Sequence, residues 1–460
     1  MKPSRSAPSS GSGLTVKIFA ALFGAFFGLS LLKFGNPPIM EQYVSSPTNI
    51  YELLLGYPWP IAWAYRSMAG LAVLGLIAGD WRKEKFRWFL LVPLAWFLWQ
   101  CLASAQSIRP DLSRPTLLHF LACLSCFYLG FFTLSRLRNL GAFWIGLLTA
   151  LVLLVSVGWE QHFGGLDESR RFFYLYLYPK MHQIPPEYFK KLLSTRIFGT
   201  MFYPNALAGA LLLLLPLALG VVNNLRQALT PPARWFVLSI ITFTGLACLY
   251  WSGSKGGWLL MLLLSLLALL RIQSSKALKI GVVSVALLAG TAGFFWKYSA
   301  FFEKGATSVS ARFDYWRAAV EITKNHPLLG TGPGTFQVPY AQLKRPESEM
   351  ARLTHNDYLE QACDSGLPGF LGYALFLMGT LVLTAPRDWA RPGPIDWLPF
   401  SIWLGTLGVA LQALAEFWLY LPAIAWPAFA LLGLLLGWRQ RTTPLPNPSV
   451  KPIDKCAAPL

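Results

Sequence analysis

The sequence predicts an all-α polytopic membrane protein, on three observations. Of its 460 residues 55% are hydrophobic and only 13% charged, with a mean hydropathy of +0.46, too apolar for a soluble chain of this length. The apolar residues gather in about twelve runs, most of them near the ~20 residues a helix needs to cross a bilayer. The formal net charge of +18 is spread over alternate connections between those runs, which makes it a topology signal and not the patch a nucleic-acid-binding protein would carry.

In chain order, residues 1–13 are rich in Ser, Pro and Gly and carry Lys2 and Arg5, the composition of a disordered cytoplasmic tail. Residues 14–439 form the membrane domain. Its first run, 18–32, has the length of a signal sequence, but no small-x-small cleavage site follows, so it is taken as the first span. Further spans are expected at 61–78, 88–103, 117–134, 142–159, 204–222, 235–251, 258–270, 280–296, 367–384, 398–415 and 419–438. Residues 440–460 are a basic, Pro-rich cytoplasmic tail, in which Cys456 lies too far from the end for a prenylation signal.

With both termini in the cytoplasm, the inner connections hold twenty basic and five acidic residues, and the outer side nineteen and sixteen. Every short inner loop is then basic, as the positive-inside rule requires. Two long connections, 160–203 and 297–366, fall on the outer, periplasmic face. Loops of that length are functional or disordered, and amphipathic pieces such as 313–322 favour order at the membrane interface. The six cysteines form no disulfide framework: Cys101, Cys123, Cys126 and Cys248 sit in apolar runs, and the Cys123/Cys126 pair has no second pair to complete a metal site. Core packing is the reading for that pair.

Four polar stretches on the outer side are the candidates for chemistry. Arg196 leads through Gly199 and Thr200 to Pro204 and Asn205 at the mouth of the bundle, where it either snorkels to headgroups or binds an anion. The short turn Ser252-Gly253-Ser254-Lys255-Gly256-Gly257 sets a lysine at the membrane surface, with a helix N-terminus behind it. Arg312 and Trp316 head a helical segment that runs to the glycine-rich stretch 330–334. The fourth stretch, 352–366, holds His355, Asn356, Asp357, Tyr358, Glu360 and Asp364, and a histidine there can exchange a proton near neutrality. A solvated loop turning at Asp364-Ser365-Gly366 is the plain alternative for that stretch. No strand alternates with helix around the glycines, so a dinucleotide fold is excluded, as is a P-loop at Lys255.

Taken in order, these residues resemble the O-antigen ligase and O-antigen polymerase superfamily of membrane glycosyltransferases. The likeness lies in Arg196-x-x-Gly199-Thr200 with Pro204-Asn205, the Ser-x-Lys-Gly-Gly turn, Arg312 with Trp316, Pro327-Leu-Leu-Gly330-x-Gly332, and His355-Asn356-x-Tyr358-Leu359 ahead of Gly366-x-x-Gly369. The resemblance implies transfer of a glycan from an undecaprenyl-diphosphate carrier to an acceptor hydroxyl at the periplasmic face of the bacterial inner membrane. The acceptor would be a lipid core, a growing polysaccharide or a protein. It implies no cofactor and no metal: Arg196, Lys255 and Arg312 would hold the diphosphate, His355 would be the base, and Asn205, Asn356, Tyr358 and Asp364 would support them. The chain departs from the family in carrying Lys255 where arginine is usual, which replaces a forked donor by a point charge, and Asp364 where glutamate is usual. The rival class is a transporter or flippase of lipid-linked saccharides, but transporters place charges at the membrane midplane and often show two related halves, whereas here the polar groups gather at one face.

Overall fold

A backbone in lipid has no water to bond, so apolar runs of this length must close their hydrogen bonds within a helix. The computed structural model describes every residue except 1–9, 56–57, 80–87, 138, 181–192, 202, 273, 304–306, 347, 387–395 and 443–460. Both tails of the domain scheme, and the inner-loop residues Arg82, Lys83, Lys85, Arg87, Arg138, Arg387 and Arg391, lie wholly or largely outside the described residues. No strand occurs among the described residues. The helices are α1 (Ser10–Lys33), α2 (Ile50–Leu55), α3 (Ile61–Ala78), α4 (Leu91–Ala105), α5 (Pro110–Phe132), α6 (Gly141–Glu160), α7 (Leu166–Phe172) and α8 (Pro204–Asn224). They continue with α9 (Pro231–Trp251), α10 (Lys255–Arg271), α11 (Lys276–Glu303), α12 (Thr307–Asn325), α13 (Gln337–Leu343), α14 (Asp357–Thr384), α15 (Trp397–Gln412) and α16 (Pro422–Thr442).

Each of the twelve expected spans is built on a helix. Among the described residues ten helices are long and apolar enough to cross a membrane. The other two expected spans form the shorter helices α10, of 17 residues, and α15, of 16. At 1.5 Å per residue both fall a little short of a ~30 Å hydrocarbon layer. The chain is therefore an all-α polytopic membrane protein. Helices α8 and α16 are mostly buried, and α11 lies at the periphery.

Lipid tails are as apolar as leucine, so helices in a bilayer associate by close packing, and small residues permit it. The α5–α16 crossing shows this: a Cβ on Gly130 would lie 2.2 Å from the Ala430 carbonyl oxygen, and one on Gly433 would lie 2.0 Å from that of Phe127. The α1–α6 pair uses Gly24 in the same way against Phe143.

One end of this bundle carries the polar stretches. The helical run α14 is two pieces, broken at Ser365 (φ −136°) and Gly366 (φ +71°, ψ −176°). The first piece is a short, buried half-helix, and the second is the span that the sequence places at 367–384. The glycine-rich strap 330–334 lies across the break. Thr331 and Gly332 donate their N–H groups to the carbonyls of Cys363 and Asp364 at 2.9 Å each, and Leu367 donates to that of Pro327 at 2.8 Å. Helix α12 seals the strap through a second small core of Tyr315, Ala318, Ala319 and Ile322 with Phe336, Tyr340, Ala351 and Cys363. The amphipathic segment thus folds as an ordered helix in the long connection 297–366.

Gly366 combines a left-handed φ with close approach, since a Cβ there would lie 2.2 Å from the Leu328 carbonyl oxygen. Gly366→Ala is expected to cost about 2–4 kcal/mol from left-handed strain and overpacking, seen as a lower midpoint in thermal unfolding of the detergent-solubilised protein.

Candidate functional site

The polar end converges on Glu416, in the turn between α15 and α16. This carboxylate is 8% exposed and takes four donors. Tyr203 Oη donates to Oε2 at 2.9 Å, Asn205 Nδ2 to Oε1 at 2.6 Å, the Arg312 guanidinium to Oε1, and His355 Nδ1 lies 3.1 Å from Oε2. Burial alone would raise the Glu416 carboxyl, but the hydrogen bond and charge of His355, then the charge of Arg312 and the Tyr203 hydrogen bond, hold it below the ordinary glutamate value. It therefore accepts at neutral pH, which makes His355 Nδ1 the donor in either charge state; only in the neutral form of the imidazole does Nε2 carry a lone pair.

Each member of this set is placed by a separate local device. The turn that carries Arg196 is clamped by buried Gln161 of the α6 extension, whose Oε1 accepts from Phe198 N (3.0 Å) and Gly199 N (2.8 Å) while Nε2 donates to Gly199 O (2.8 Å). Arg196 then donates from Nε to Ser252 O at 2.7 Å and from Nη2 to Asn205 Oδ1 at 2.8 Å, tying the first stretch to the turn that precedes Lys255. Gly253, with φ +62°, lets Arg196 lie flat on that turn, and Ser254 caps α10 by accepting from Gly257 N at 3.3 Å.

Lys255 is the first residue of α10, ahead of its apolar run. Its ammonium pKa is lowered by burial and then by the charges of Arg196 and Arg312, so both guanidinium groups are close enough to Lys255 to repel it. Arg312, near the start of α12, also donates from Nε to Ala415 O at 3.0 Å.

His355 is the non-glycine residue with a positive φ, +54°, among the described residues. That conformation costs free energy for a side chain with a Cβ and persists only where surroundings impose it. Here they do. The ring stands edge-on to Phe417 (centroids 4.8 Å apart) and stacks on Tyr315 (5.9 Å), while the next residue, Asn356, caps the half-helix by accepting from Tyr358 N and Leu359 N at 3.0 Å each.

Behind the site a fully buried layer holds the Glu416 turn. Asp357 Oδ2 accepts from Leu419 N at 3.0 Å, and His119 Nε2 lies 2.7 Å from Leu419 O. Trp426 donates to His119 Nδ1 at 3.1 Å, so the proton on Nε2 goes to that carbonyl. Cys123 and Cys126 are buried in the same core.

Of the eight residues singled out from the sequence, Arg196, Asn205, Lys255, Arg312 and His355 come together. The other three serve the scaffold. Asn356 caps the half-helix and donates to Leu414 O at 3.0 Å; Tyr358 donates to Ala410 O at 3.1 Å; Asp364 accepts from Gly334 N and Tyr420 Oη, both at 2.7 Å. Glu416, Tyr203 and Gln161 were not singled out.

The fold is that of a multi-pass membrane protein, and at one end of the bundle, where four connections between helices meet, Arg196, Lys255 and Arg312 lie with His355 and Glu416. Residues 238–374 match the model of the O-antigen ligase family. The matched stretch contains Lys255, Arg312 and His355; Arg196, Asn205 and Glu416 lie outside it. The chain is also similar to an uncharacterized protein of Haemophilus influenzae, 30% identical over 152 residues, which is 28% of this chain and 38% of that protein. The match spans well under half of that relative.

Proposed function

We propose that the protein transfers a glycan from an undecaprenyl-diphosphate carrier to an acceptor hydroxyl at the periplasmic face of the inner membrane, with no metal in the reaction. The observation that supports this reading is the convergence of Arg196, Lys255 and Arg312 at one end of the bundle, where Arg312 and His355 share the Glu416 carboxylate and Asn205 links Arg196 to it. In the proposed step the acceptor oxygen bonds to the anomeric carbon, its proton passes to His355 Nε2, and the anomeric C–O bond breaks with its electron pair leaving on the diphosphate. Charge grows on that leaving group, and Arg196, Lys255 and Arg312 offset it in a site of low dielectric. Single displacement inverts the anomeric centre. Glu416 keeps His355 in the tautomer the step needs.

Donor binding tests the cation assignment. Ala in place of Arg196, Lys255 or Arg312 is expected to weaken a polyprenyl-diphosphate glycan roughly 10–100-fold each, the equivalent of the ~1.5–3 kcal/mol of a hydrogen bond to a charged group. Unchanged affinity in all three variants, measured by titration of the purified proteins, contradicts the assignment.

The lowered pKa of Lys255 adds a pH signature. Donor affinity is complete below that value and declines as pH rises through it, earlier than an ordinary lysine would allow. Lys255→Arg keeps its charge at every accessible pH, so it is expected to bind the donor at least as well and to lose this alkaline decline. Persistence of the decline in Lys255→Arg assigns it to another group.

A further inference from the structure

Helix α15 ends at Gln412, and the last carbonyls of a helix find no partner within it. The carbonyls of Val409, Leu411 and Gln412 are closed by the turn itself, from Ala413 N, Leu414 N and Ala415 N. Four others bond outside the helix. Ala410 O accepts from Tyr358 Oη at 3.1 Å, Ala413 O from Asp357 N at 2.9 Å, Leu414 O from Asn356 Nδ2 at 3.0 Å and Ala415 O from Arg312 Nε at 3.0 Å. Three of these donors belong to the consecutive residues directly after His355, and the last acceptor directly precedes Glu416. The two runs are thus fastened to each other immediately beside the His355–Glu416 bond.

Asn356 is the member of this set whose two ends do different jobs. Its Oδ1 accepts from Tyr358 N and Leu359 N, a cap that Asp or Ser supplies as well. Its Nδ2 donates to Leu414 O from the other side of the amide, and an ionised carboxylate has no such donor. His355 itself sits at φ +54° between residues that bond to each other, since Thr354 Oγ1 donates to Asn356 O at 2.8 Å. A cap alone would let this loop slip against the Glu416 turn; the donor arm removes that freedom.

We propose that Asn356 is a positioning residue for the transfer step: by joining the cap of the half-helix to the Leu414 carbonyl, its amide holds His355 Nδ1 on Glu416. This rests on the proposed function in taking His355 as the base, whereas the fastening itself does not depend on it. A slip of about 1 Å in a reacting group can cost on the order of 10²-fold in rate, so a single bond of this kind matters.

The test uses full-length protein in nanodiscs, isotopically labelled at its five histidines. The Nδ1–H of His355 is expected as a proton resonance shielded from exchange by the Glu416 bond, assigned by its absence from His355→Gln. Asn356→Ser keeps the cap, but its side chain is too short for Leu414 O. It is expected to lose that resonance while the Nε2–H of buried His119, bonded to Leu419 O, stays. Persistence of the His355 resonance overturns the proposal. Asn356→Asp, which caps equally well and has no donor when ionised, is read in the same way should the Ser variant fail to fold. Transfer kinetics separate positioning from mere support. Asn356→Ser is expected to lower kcat roughly 10-fold or more with donor affinity unchanged, and by less than about 2-fold when Glu416 is already Gln, because the bond that Asn356 positions is then impaired. A wild-type kcat, or equal losses in both backgrounds, overturns the proposal. Absence of transfer by the wild type would count against the proposed function alone, since the resonance is read without turnover.

Discussion

Glu416→Gln is expected to lower turnover on the order of 10²-fold while leaving donor affinity no weaker than in the wild type. The carboxylate is a fixed acceptor for His355 Nδ1, which keeps the lone pair on Nε2; an amide presents both a donor and an acceptor and no longer selects that tautomer. A diphosphate also gains nothing from a neighbouring carboxylate, so neutralising residue 416 leaves the cations more fully to the donor. Glu416→Ala removes the acceptor of four groups and strips a largely buried ion pair of one partner, which is expected to cost roughly 3–5 kcal/mol in stability. The Gln variant is therefore the informative one. Because the folded-state pKa of Glu416 is lowered, its contribution to the ordering of the site is present above the ordinary glutamate range and is lost only as pH falls through the lowered value. Steady-state kinetics that show Glu416→Gln with normal kcat and a raised donor KM would contradict this role.

His355→Ala is expected to retain donor binding and to lose roughly 10²-fold or more in turnover, and His355→Gln, which keeps a hydrogen-bonding shape without a base, is not expected to restore it. The backbone must be considered in choosing the variants. With φ at +54° the position favours Asn among the replacements, so His355→Asn serves as the control for misplacement of the loop. Substantial turnover in His355→Gln would reduce His355 to a positioning residue while leaving glycan transfer in place.

The architecture was legible because lipid enforces it. Every apolar run expected as a span lies on a helix, and the helical run that ends in the 367–384 span breaks at Gly366. The half-helix before that break was not legible, since Asp357, Glu360, Gln361 and Asp364 are buried in it and hydrophobic periodicity cannot register a buried polar helix. The cations and His355 were legible as polar interruptions of apolar sequence. Glu416 interrupts it too, as a lone acid in the turn Glu416-Phe417-Trp418 between two apolar runs, and that was the available signal. Its partners were not readable, because they come from residues 203, 205, 312 and 355 and meet only through tertiary packing. The clamp by Gln161 and the bond from His119 to Leu419 O were hidden for the same reason: from sequence alone each is one polar residue in or beside an apolar helix.

The most direct test of the account is glycan transfer by the purified protein in proteoliposomes, with a radiolabelled undecaprenyl-diphosphate glycan as donor, an oligosaccharide acceptor, EDTA present and no ion gradient. The account predicts that label moves to the acceptor with release of undecaprenyl diphosphate, and that His355→Ala slows this transfer by roughly 10²-fold or more while still binding donor. Label that merely crosses the bilayer on its intact carrier, equally in wild type and His355→Ala, would contradict it and identify the protein as a transporter.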